Sequence, residues 1–189
     1  GVDLHLYSQF GAGDYLSGGY RKVKKTSYFA YGSVGGKIKK YVDWDANIRF
    51  YPSGYRGGDL EIGARLALTG YIRRHPLILE GRFSMERRTP SYWQENLFSN
   101  HFMWSAPLNK ENETRFEVKF TVPDFAFEAG VWQGIVGDKV YYGSDSRIAQ
   151  HGGSVGLTSA YVRKDFRLGG LHLDNRVLLQ WSTNQEVIP

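Results

Sequence analysis

The sequence predicts an all-β fold, an antiparallel up-and-down transmembrane β-barrel, and three observations lead to it. Apolar and polar residues alternate along about ten segments, several of them longer than the strands of soluble proteins. The polar positions carry charges of both signs. Turn signals such as VGGK, PSGYRGG and RLGG separate the segments. Strands of this kind cross a bilayer with one face toward lipid and the other toward water.

The alternation is clearest in residues 59–72, DLEIGARLALTGYI, where Leu66 falls on the apolar side and Glu61 and Arg65 on the polar side. Equally regular segments follow the same rule at residues 2–10, 41–52, 77–88, 114–122 and 171–182. Less regular segments lie at residues 22–34, 98–107, 125–136 and 155–167. A tilted strand needs roughly nine to eleven residues to cross the hydrocarbon, and the regular segments reach or exceed that length. We therefore expect Leu66→Arg to destabilise the fold in lipid far more than Ala67→Arg.

The polar side of these segments predicts the lining of a water-filled lumen. Side chains that converge inside a barrel have to pair or stay hydrated, and opposite charges recur here at short spacing. The predicted lumen-lining residues are Arg49, Glu61, Arg65, Glu80, Arg82, Glu86, Arg88, Glu117, Lys119, Asp174 and Arg176. Arginine leads this set, which predicts a slight preference for small anions. The solvated face of a soluble sheet, with incidental ion pairs, is the alternative interpretation.

Aromatic residues lie mostly near the ends of the segments. Tyrosine and tryptophan at those depths form the girdles that meet lipid headgroups in membrane barrels. The residues concerned are Trp44, Tyr51, Tyr92, Trp93, Trp104, Trp132, Tyr141, Tyr142, Tyr161 and Trp181. The cores of soluble β-sandwiches also use such residues, so a soluble, secreted all-β binding module stays open as an alternative.

Composition excludes several classes of protein. The chain has no cysteine, which removes disulfides, cysteine-ligated zinc and thiol catalysis. The net charge of +5 is modest, and basic residues are interleaved with acidic ones, so no nucleic-acid partner is predicted. No apolar run is long enough for a membrane-spanning helix.

One β-barrel region over residues 1–189, incomplete at both ends, is the predicted domain organisation. Both termini lie in strand-like sequence, and an open sheet edge in lipid would leave backbone groups unpaired at several kcal/mol each. Closure therefore requires further strands of a longer chain, or partner chains in a homo- or hetero-oligomer. A barrel that serves as a structural or assembly subunit without an open pore fits the same sequence.

Two runs near the end of the chain carry a family resemblance. They are FEAGVWQGIVGDKVYYGSDSRIAQ at residues 127–150 and DFRLGGLHLDNRVLLQWSTNQEVIP at residues 165–189. Through them the chain resembles the putative porin family of outer-membrane proteins from Bacteroidota. It departs from the family pattern at Val131, where an aromatic residue is expected, and at Ala149, where proline is common. The resemblance implies a bacterial outer-membrane barrel longer than this chain, surrounded by lipid and lipopolysaccharide, that passes small hydrophilic solutes passively. It implies no catalytic residue.

Candidate catalytic groups are few. His172 and Asp174 share one strand face, where a carboxylate could orient an imidazole as a general base. Ser154, Ser159 and Ser182 are the nearby hydroxyls, and none is identifiable as a nucleophile from the sequence. The five histidines show no metal-ligand spacing with one another. We therefore predict that the protein is not an enzyme and has no cofactor and no metal site.

Paired carboxylates and basic clusters have interpretations besides catalysis. Asp43 and Asp45 could hold a cation, or could be balanced by a base on a neighbouring strand. The basic run at residues 21–25, with Lys37, Lys39 and Lys40, could contact lipid headgroups or lipopolysaccharide phosphates. A charged hairpin that keeps a sheet edge soluble explains the same run equally well.

Overall fold

The computed structural model describes residues 2–8, 20–98 and 103–188, with side chains described for residues 25–97 and 104–188. In chain order the elements are β1 (Val2–Ser8), β2 (Tyr20–Ile38), β3 (Val42–Gly54), β4 (Leu60–Ile72), β5 (His75–Arg88), α1 (Tyr92–Glu95), β6 (Asn96–Phe98), β7 (Met103–Ser105), β8 (Glu111–Val122), β9 (Phe127–Gly137), β10 (Val140–Tyr142), β11 (Ile148–Gln150), β12 (Ser154–Leu168) and β13 (Leu171–Ser182). A short 3-10 turn, Pro123–Phe125, precedes β9. None of the described helices is long and apolar enough to span a membrane.

Nine strands form one antiparallel sheet in the order β1-β2-β3-β4-β5-β8-β9-β12-β13. Strands that follow one another in the sheet are joined in an up-and-down path, as the sequence predicts. Two small hairpins, β6-β7 and β10-β11, lie outside this sheet. The all-β, antiparallel class is thereby confirmed. Among the described residues the sheet is open, because β1 and β13 are its edges and do not pair with each other.

The strand predictions hold best where alternation is regular. The predicted segments 59–72 and 77–88 correspond to β4 and β5 within two residues. The predicted segment 98–107 is wrong as a strand of the main sheet, because its described part contributes only the last residue of β6 and all of β7, which form a small separate hairpin. Residues 9–10 and 99–102 of the predicted segments lie outside the described part of the chain.

Burial is inverted relative to a soluble protein. On the apolar side of the sheet, Leu66 is 46 % exposed and Phe116 is 55 % exposed. On the charged side, Glu80 is only 8 % exposed. Because successive side chains of a strand point to opposite faces, the register places these two classes on opposite sides across β3, β4, β5 and β8. We call these sides the apolar face and the charged face.

The two ends of the sheet differ in their connections. At one end, short turns join β2 to β3, β4 to β5, β8 to β9 and β12 to β13. Each of these turns contains one residue with positive φ: Lys39, Arg73, Ala126 or Gly169. At the opposite end lie residues 55–59, 89–110 and 138–153, which include α1 and both small hairpins. We call these the short-turn end and the long-loop end.

Candidate functional site

The charged face is organised in rows that run across neighbouring strands. In one row Asp45, Arg65, Arg82, Glu117 and Trp132 lie side by side on β3, β4, β5, β8 and β9. The adjacent row toward the short-turn end contains Asp43, Ala67, Glu80, Lys119 and Gly130. Opposite charges lie directly across from each other at Asp45–Arg65, Arg82–Glu117 and Glu80–Lys119, which favours this register. The like charges Arg65 and Arg82 also lie opposite each other, and Glu80 pairs with both.

Arg65 is the centre of the first charge network. Its guanidinium donates to Asp45 at 2.6 Å, to Asp43 at 3.0 Å and to Glu80 at 3.2 Å. These bonds come from Nε, Nη2 and Nη1, so every nitrogen of the group is engaged. Asp43 and Asp45 are therefore balanced by a base on the neighbouring strand, which is the second of the two interpretations of this pair.

Glu80 continues the network toward β8. Arg82 Nε lies 2.7 Å from its carboxylate, and Lys119 Nζ lies 3.3 Å from it. Lys119 also lies 3.9 Å from Glu128 on β9. Three basic groups, counting Arg65, thus surround one nearly buried carboxylate. Their positive charges offset the free-energy cost of burying its negative charge.

Three of the predicted girdle aromatics, Tyr51, Trp132 and Tyr161, lie on the charged face instead. The Arg115 guanidinium stacks 4.4 Å from the centroid of the Trp132 ring and donates to Glu117 at 3.1 Å. The Tyr161 hydroxyl lies 3.5 Å from the other oxygen of Glu117. The girdle prediction is wrong for these three residues, because their strand positions share the side on which the charges lie.

A buried carboxylate anchors the long-loop end. Asp59 is 0 % exposed and accepts hydrogen bonds from Lys110 at 2.7 Å, from Arg56 at 2.9 Å and from the backbone and hydroxyl of Thr89. Burial raises the pKa of Asp59, but the hydrogen bonds from Lys110, Thr89 and Arg56 outweigh it and hold that pKa below its ordinary value. Asp59 therefore ties the β3–β4 turn to both ends of the segment 89–110.

Tyr55 attaches the same turn to α1. Its hydroxyl donates to the Pro90 carbonyl at 2.9 Å and to Glu95 at 3.2 Å. Burial, together with the charge of Glu95, raises the pKa of Tyr55 well above its ordinary value. Lys25 lies 4.4 Å from the centroid of the Tyr55 ring. The start of the segment 89–110 is thus held across the end of the charged face, from β5 as far as β2.

Glu111 holds the next loop in a similar way. This residue is 3 % exposed, and its carboxylate accepts from Arg88 at 3.0 Å and from the Val140 backbone at 2.8 Å. Lys139 Nζ lies 3.4 Å from the same carboxylate. Gln150 adds reciprocal hydrogen bonds with the backbone of Asn109, each 2.8 Å long. Both long connections are therefore fixed to the sheet by buried polar contacts.

All of the predicted lumen-lining residues lie on the charged face. Most belong to the networks above, and Arg49 pairs with Glu61 at 2.8 Å. Asp174 pairs with Arg163 at 2.6 Å near the β13 edge, and Arg176 lies 5.4 Å from the Tyr161 ring. The sheet that the described residues form is open, so the lining of a lumen by these residues stays a prediction.

The charged face contains more acidic residues than the predicted set. The register adds Asp43, Asp45, Glu111, Glu113, Glu128 and Asp165 among the acids, and Lys37, Arg115, Arg163 and Arg167 among the bases. The acidic additions outnumber the basic ones. They cancel the excess of basic residues on which the predicted anion preference rests.

The candidate catalytic pair is not assembled. Asp174 is engaged by Arg163 through two hydrogen bonds, while His172 Nε2 lies 3.6 Å from a different carboxylate, Asp165. Ser159 is buried and donates to the Leu179 carbonyl. Because Ser159 pairs with Gln180, it lies eight residues along β13 from His172, or about 26 Å at the rise of a strand.

The two remaining serines also lie too far from His172 to complete a catalytic site. Ser182 lies farther along β13 than Gln180, and Ser154 precedes the part of β12 that pairs with β13. Neither can reach His172 to act as its nucleophile.

In the described part of the chain, no cluster of three or more histidine, aspartate or glutamate side chains could hold a metal ion.

The two basic groups of the sequence lie at opposite ends of the sheet. Lys25 is at the long-loop end, beside Tyr55. Lys37 pairs with Asp43 at the short-turn end, and Lys40 there lies 4.4 Å from the Tyr71 ring. The described lysines of this group are therefore divided between the two ends of the sheet, and their contact with lipid headgroups stays a prediction. The side chains of residues 21–24 lie outside the described part of the structure.

Comparison with known families identifies a class of protein that agrees with the exposed apolar face of the sheet. The family model described as "Putative porin" matches residues 5–189, nearly the whole chain. The chain belongs to this porin family. The resemblance seen in residues 127–150 and 165–189 is thereby confirmed. No curated protein and no solved structure matches the chain. Porin membership indicates a transport-type protein rather than an enzyme, and supports a β-barrel architecture.

Proposed function

We propose that this porin-family chain forms part of a β-barrel in the bacterial outer membrane, through which small hydrophilic solutes diffuse passively along a charged lumen. The inverted burial of the sheet is the observation that supports it most strongly. Large apolar side chains such as Leu66, Val131 and Leu179 stay about half exposed, whereas Glu80 and Glu111 are nearly buried. A contiguous apolar surface of this extent requires an apolar partner, and hydrocarbon is the partner that porin membership indicates.

The open sheet edges support a larger assembly. Backbone groups of β1 and β13 that face lipid would be unpaired at several kcal/mol each. Residues 1–189 are therefore proposed as one β-barrel region, which further strands or partner chains close. A homo- or hetero-oligomer is one way to supply those strands.

The orientation follows from the difference between the two ends. Outer-membrane barrels have short periplasmic turns and longer extracellular loops. We therefore place the short-turn end in the periplasm and residues 89–110 and 138–153 on the outer surface, among lipopolysaccharide. The long loops then lie over the outer mouth, where Asp59 and Glu111 fix them.

A second candidate function rests on those same loops. Because α1 lies across the end of the charged face and is held by Tyr55, the mouth of the barrel is narrowed on the side of β2–β5. A barrel fully closed by such loops would act as a structural or assembly subunit without an open pore.

Single-channel recording of the full-length protein in planar bilayers distinguishes the two functions. We expect ohmic current, with a reversal potential near zero in a salt gradient, because acidic and basic side chains are close to balanced on the charged face. A protein that inserts but passes no current would favour the structural role. Strong anion or cation selectivity would contradict the balanced lining proposed here.

A further inference from the structure

A polar depression lies in the middle of the charged face, away from both loop anchors. It encloses about 400 Å³, and Asn47, Gly63, Arg82, Ser84 and Arg115 are among the residues that line it. Asn47, Gly63, Ser84, Arg115 and Gly134 form one row across β3, β4, β5, β8 and β9. Small residues at three of these five positions leave space between taller polar neighbours.

Several hydrogen-bond donors at this depression have no partner among the described residues. Arg82 uses Nε for Glu80, which leaves both of its Nη groups unpaired. Arg115 uses Nη2 for Glu117, which leaves Nε and Nη1 unpaired. The Ser84 hydroxyl and the Asn47 side-chain amide also lack a partner within the described structure. The Asn47 amide lies over Gly63, where an added Cβ would come within 2.9 Å of it.

Two acids, Asp45 and Glu117, also line the depression, but their ion pairs leave several donor atoms of Arg82 and Arg115 without a partner among the described residues. Asp45 is engaged by Arg65, whose three nitrogens are all paired. Glu117 receives Arg115 Nη2 and lies 3.5 Å from the Tyr161 hydroxyl. Unpaired groups at the depression are therefore mainly donors, and two of them are permanently cationic guanidinium groups.

The geometry suits one small anion between the two arginines. Arg115 lies directly opposite Ser84, and Arg82 lies two residues from Ser84 on the same face. Diagonal positions of this kind are about 7–8 Å apart, within the reach of two arginine side chains toward a shared ligand. Glu80 holds Arg82, while Glu117 and Trp132 hold Arg115, so both guanidinium groups are positioned before a ligand arrives.

We propose that Arg82, Arg115, Ser84 and Asn47 form an oxyanion subsite that binds carboxylate or phosphate groups of small solutes. The subsite deepens the proposed function, because it names a solute class that would pause on the charged face during passage. Planar guanidinium forks match the oxygens of both groups, and the Ser84 hydroxyl and Asn47 amide add neutral donors. The balanced lining sets weak overall ion selectivity, whereas this subsite adds local affinity for oxyanions.

Tryptophan fluorescence of the full-length protein in detergent tests the subsite without requiring an open pore. Inorganic phosphate and succinate are titrated separately at constant ionic strength, and glucose serves as the neutral probe. We expect a saturable change with at least one oxyanion and none with glucose. The change should disappear in Trp132→Phe, because that ring stacks on Arg115. The two titrations show whether the subsite takes phosphate, carboxylate or both.

Variants separate the subsite from general charge effects. Arg82→Gln and Arg115→Gln are each expected to weaken oxyanion binding at least tenfold. Ser84→Ala leaves every ion pair intact and should weaken binding a few-fold. Arg163→Gln is the matched control, because it removes an arginine from the same face at the Asp174 pair on β12.

The outcomes distinguish the subsite from the pore. A flat oxyanion titration, a saturable response to glucose, or equal weakening by Arg163→Gln would overturn the subsite, even if the protein conducts. An oxyanion response lost in Arg82→Gln and Arg115→Gln but kept in Arg163→Gln supports it, even if planar-bilayer recordings show no current.

Discussion

Leu66→Arg is expected to destabilise the protein in a bilayer by about 2–4 kcal/mol. Leu66 lies near the middle of β4 on the apolar face and is 46 % exposed, so the proposed function places it in the hydrocarbon. An arginine there must carry its charge into lipid or distort the bilayer around it. Reversible urea unfolding in lipid vesicles, followed by tryptophan fluorescence, measures the free energy of unfolding.

The matched control for Leu66→Arg needs a position on the charged face of β4. Ala67 is a poor choice, because the structure buries it to 6 % exposure between Asp43 and Glu80. Its burial gives a physical reason to expect a larger effect from Ala67→Arg than the alternation alone predicts. Thr69 is half-buried on the same face, and Thr69→Arg should cost less than about 1 kcal/mol. Equal costs for Leu66→Arg and Thr69→Arg would show that the two faces are assigned incorrectly.

Asp59→Ala is expected to destabilise the long-loop end by about 2–4 kcal/mol. The substitution removes the acceptor for Lys110, Arg56 and the Thr89 backbone at once. It leaves two partly buried cations without their shared counter-charge, which is the more costly part of the change. Limited proteolysis within residues 89–110 should become much faster, and single-channel current should rise or become noisy as that segment leaves the mouth.

Asp145→Ala is the control for Asp59→Ala. Asp145 also lies in a long connection and pairs with a basic residue, Arg147, at 3.9 Å, but both side chains are well exposed. An exposed pair of this kind contributes about 0–1 kcal/mol, so proteolysis and current should stay unchanged. If Asp59→Ala behaved like Asp145→Ala, the loops would not depend on the buried carboxylate for their position.

The alternation of apolar and polar residues predicts the strands of the sheet, because it distinguishes the two faces of each strand from the sequence of that strand alone. Arg65 and Leu66 are neighbours in sequence, and their opposite chemistry is enough to assign opposite faces and the strand phase of β4. The regular segments therefore gave correct strands and placed every predicted lumen-lining residue on one face. Trp132 and Tyr161 were misassigned because aromatic character alone does not reveal strand phase. The small, weakly polar neighbours on β9 and β12 mask the alternation there.

Contacts between distant loops leave no comparable local signal. Asp59 meets Thr89 and Lys110 across 30 and 51 residues of sequence, and Glu111 meets Val140 across 29. Asp59 opens the regular segment 59–72, so the sequence shows it as one more polar residue at a strand start. The oxyanion subsite was missed for a related reason. The subsite depends on which donor atoms stay unpaired after Arg65 and Glu80 have formed their ion pairs. Those pairs join residues on different strands, so they become visible only when the strand register is known.

A single-cysteine scan along β8 tests most directly which face of the sheet meets lipid. Residues 1–189 contain no cysteine, so each introduced residue carries the only spin label within this region. In lipid vesicles, labels at Thr114, Phe116, Val118 and Phe120 should collide with oxygen dissolved in the bilayer. Labels at Glu113, Arg115, Glu117 and Lys119 should instead collide with a water-soluble nickel chelate. This two-residue alternation, in this phase, is the predicted result. Nickel access at every position, or the opposite phase, would contradict a lipid-facing apolar side and a water-lined charged side.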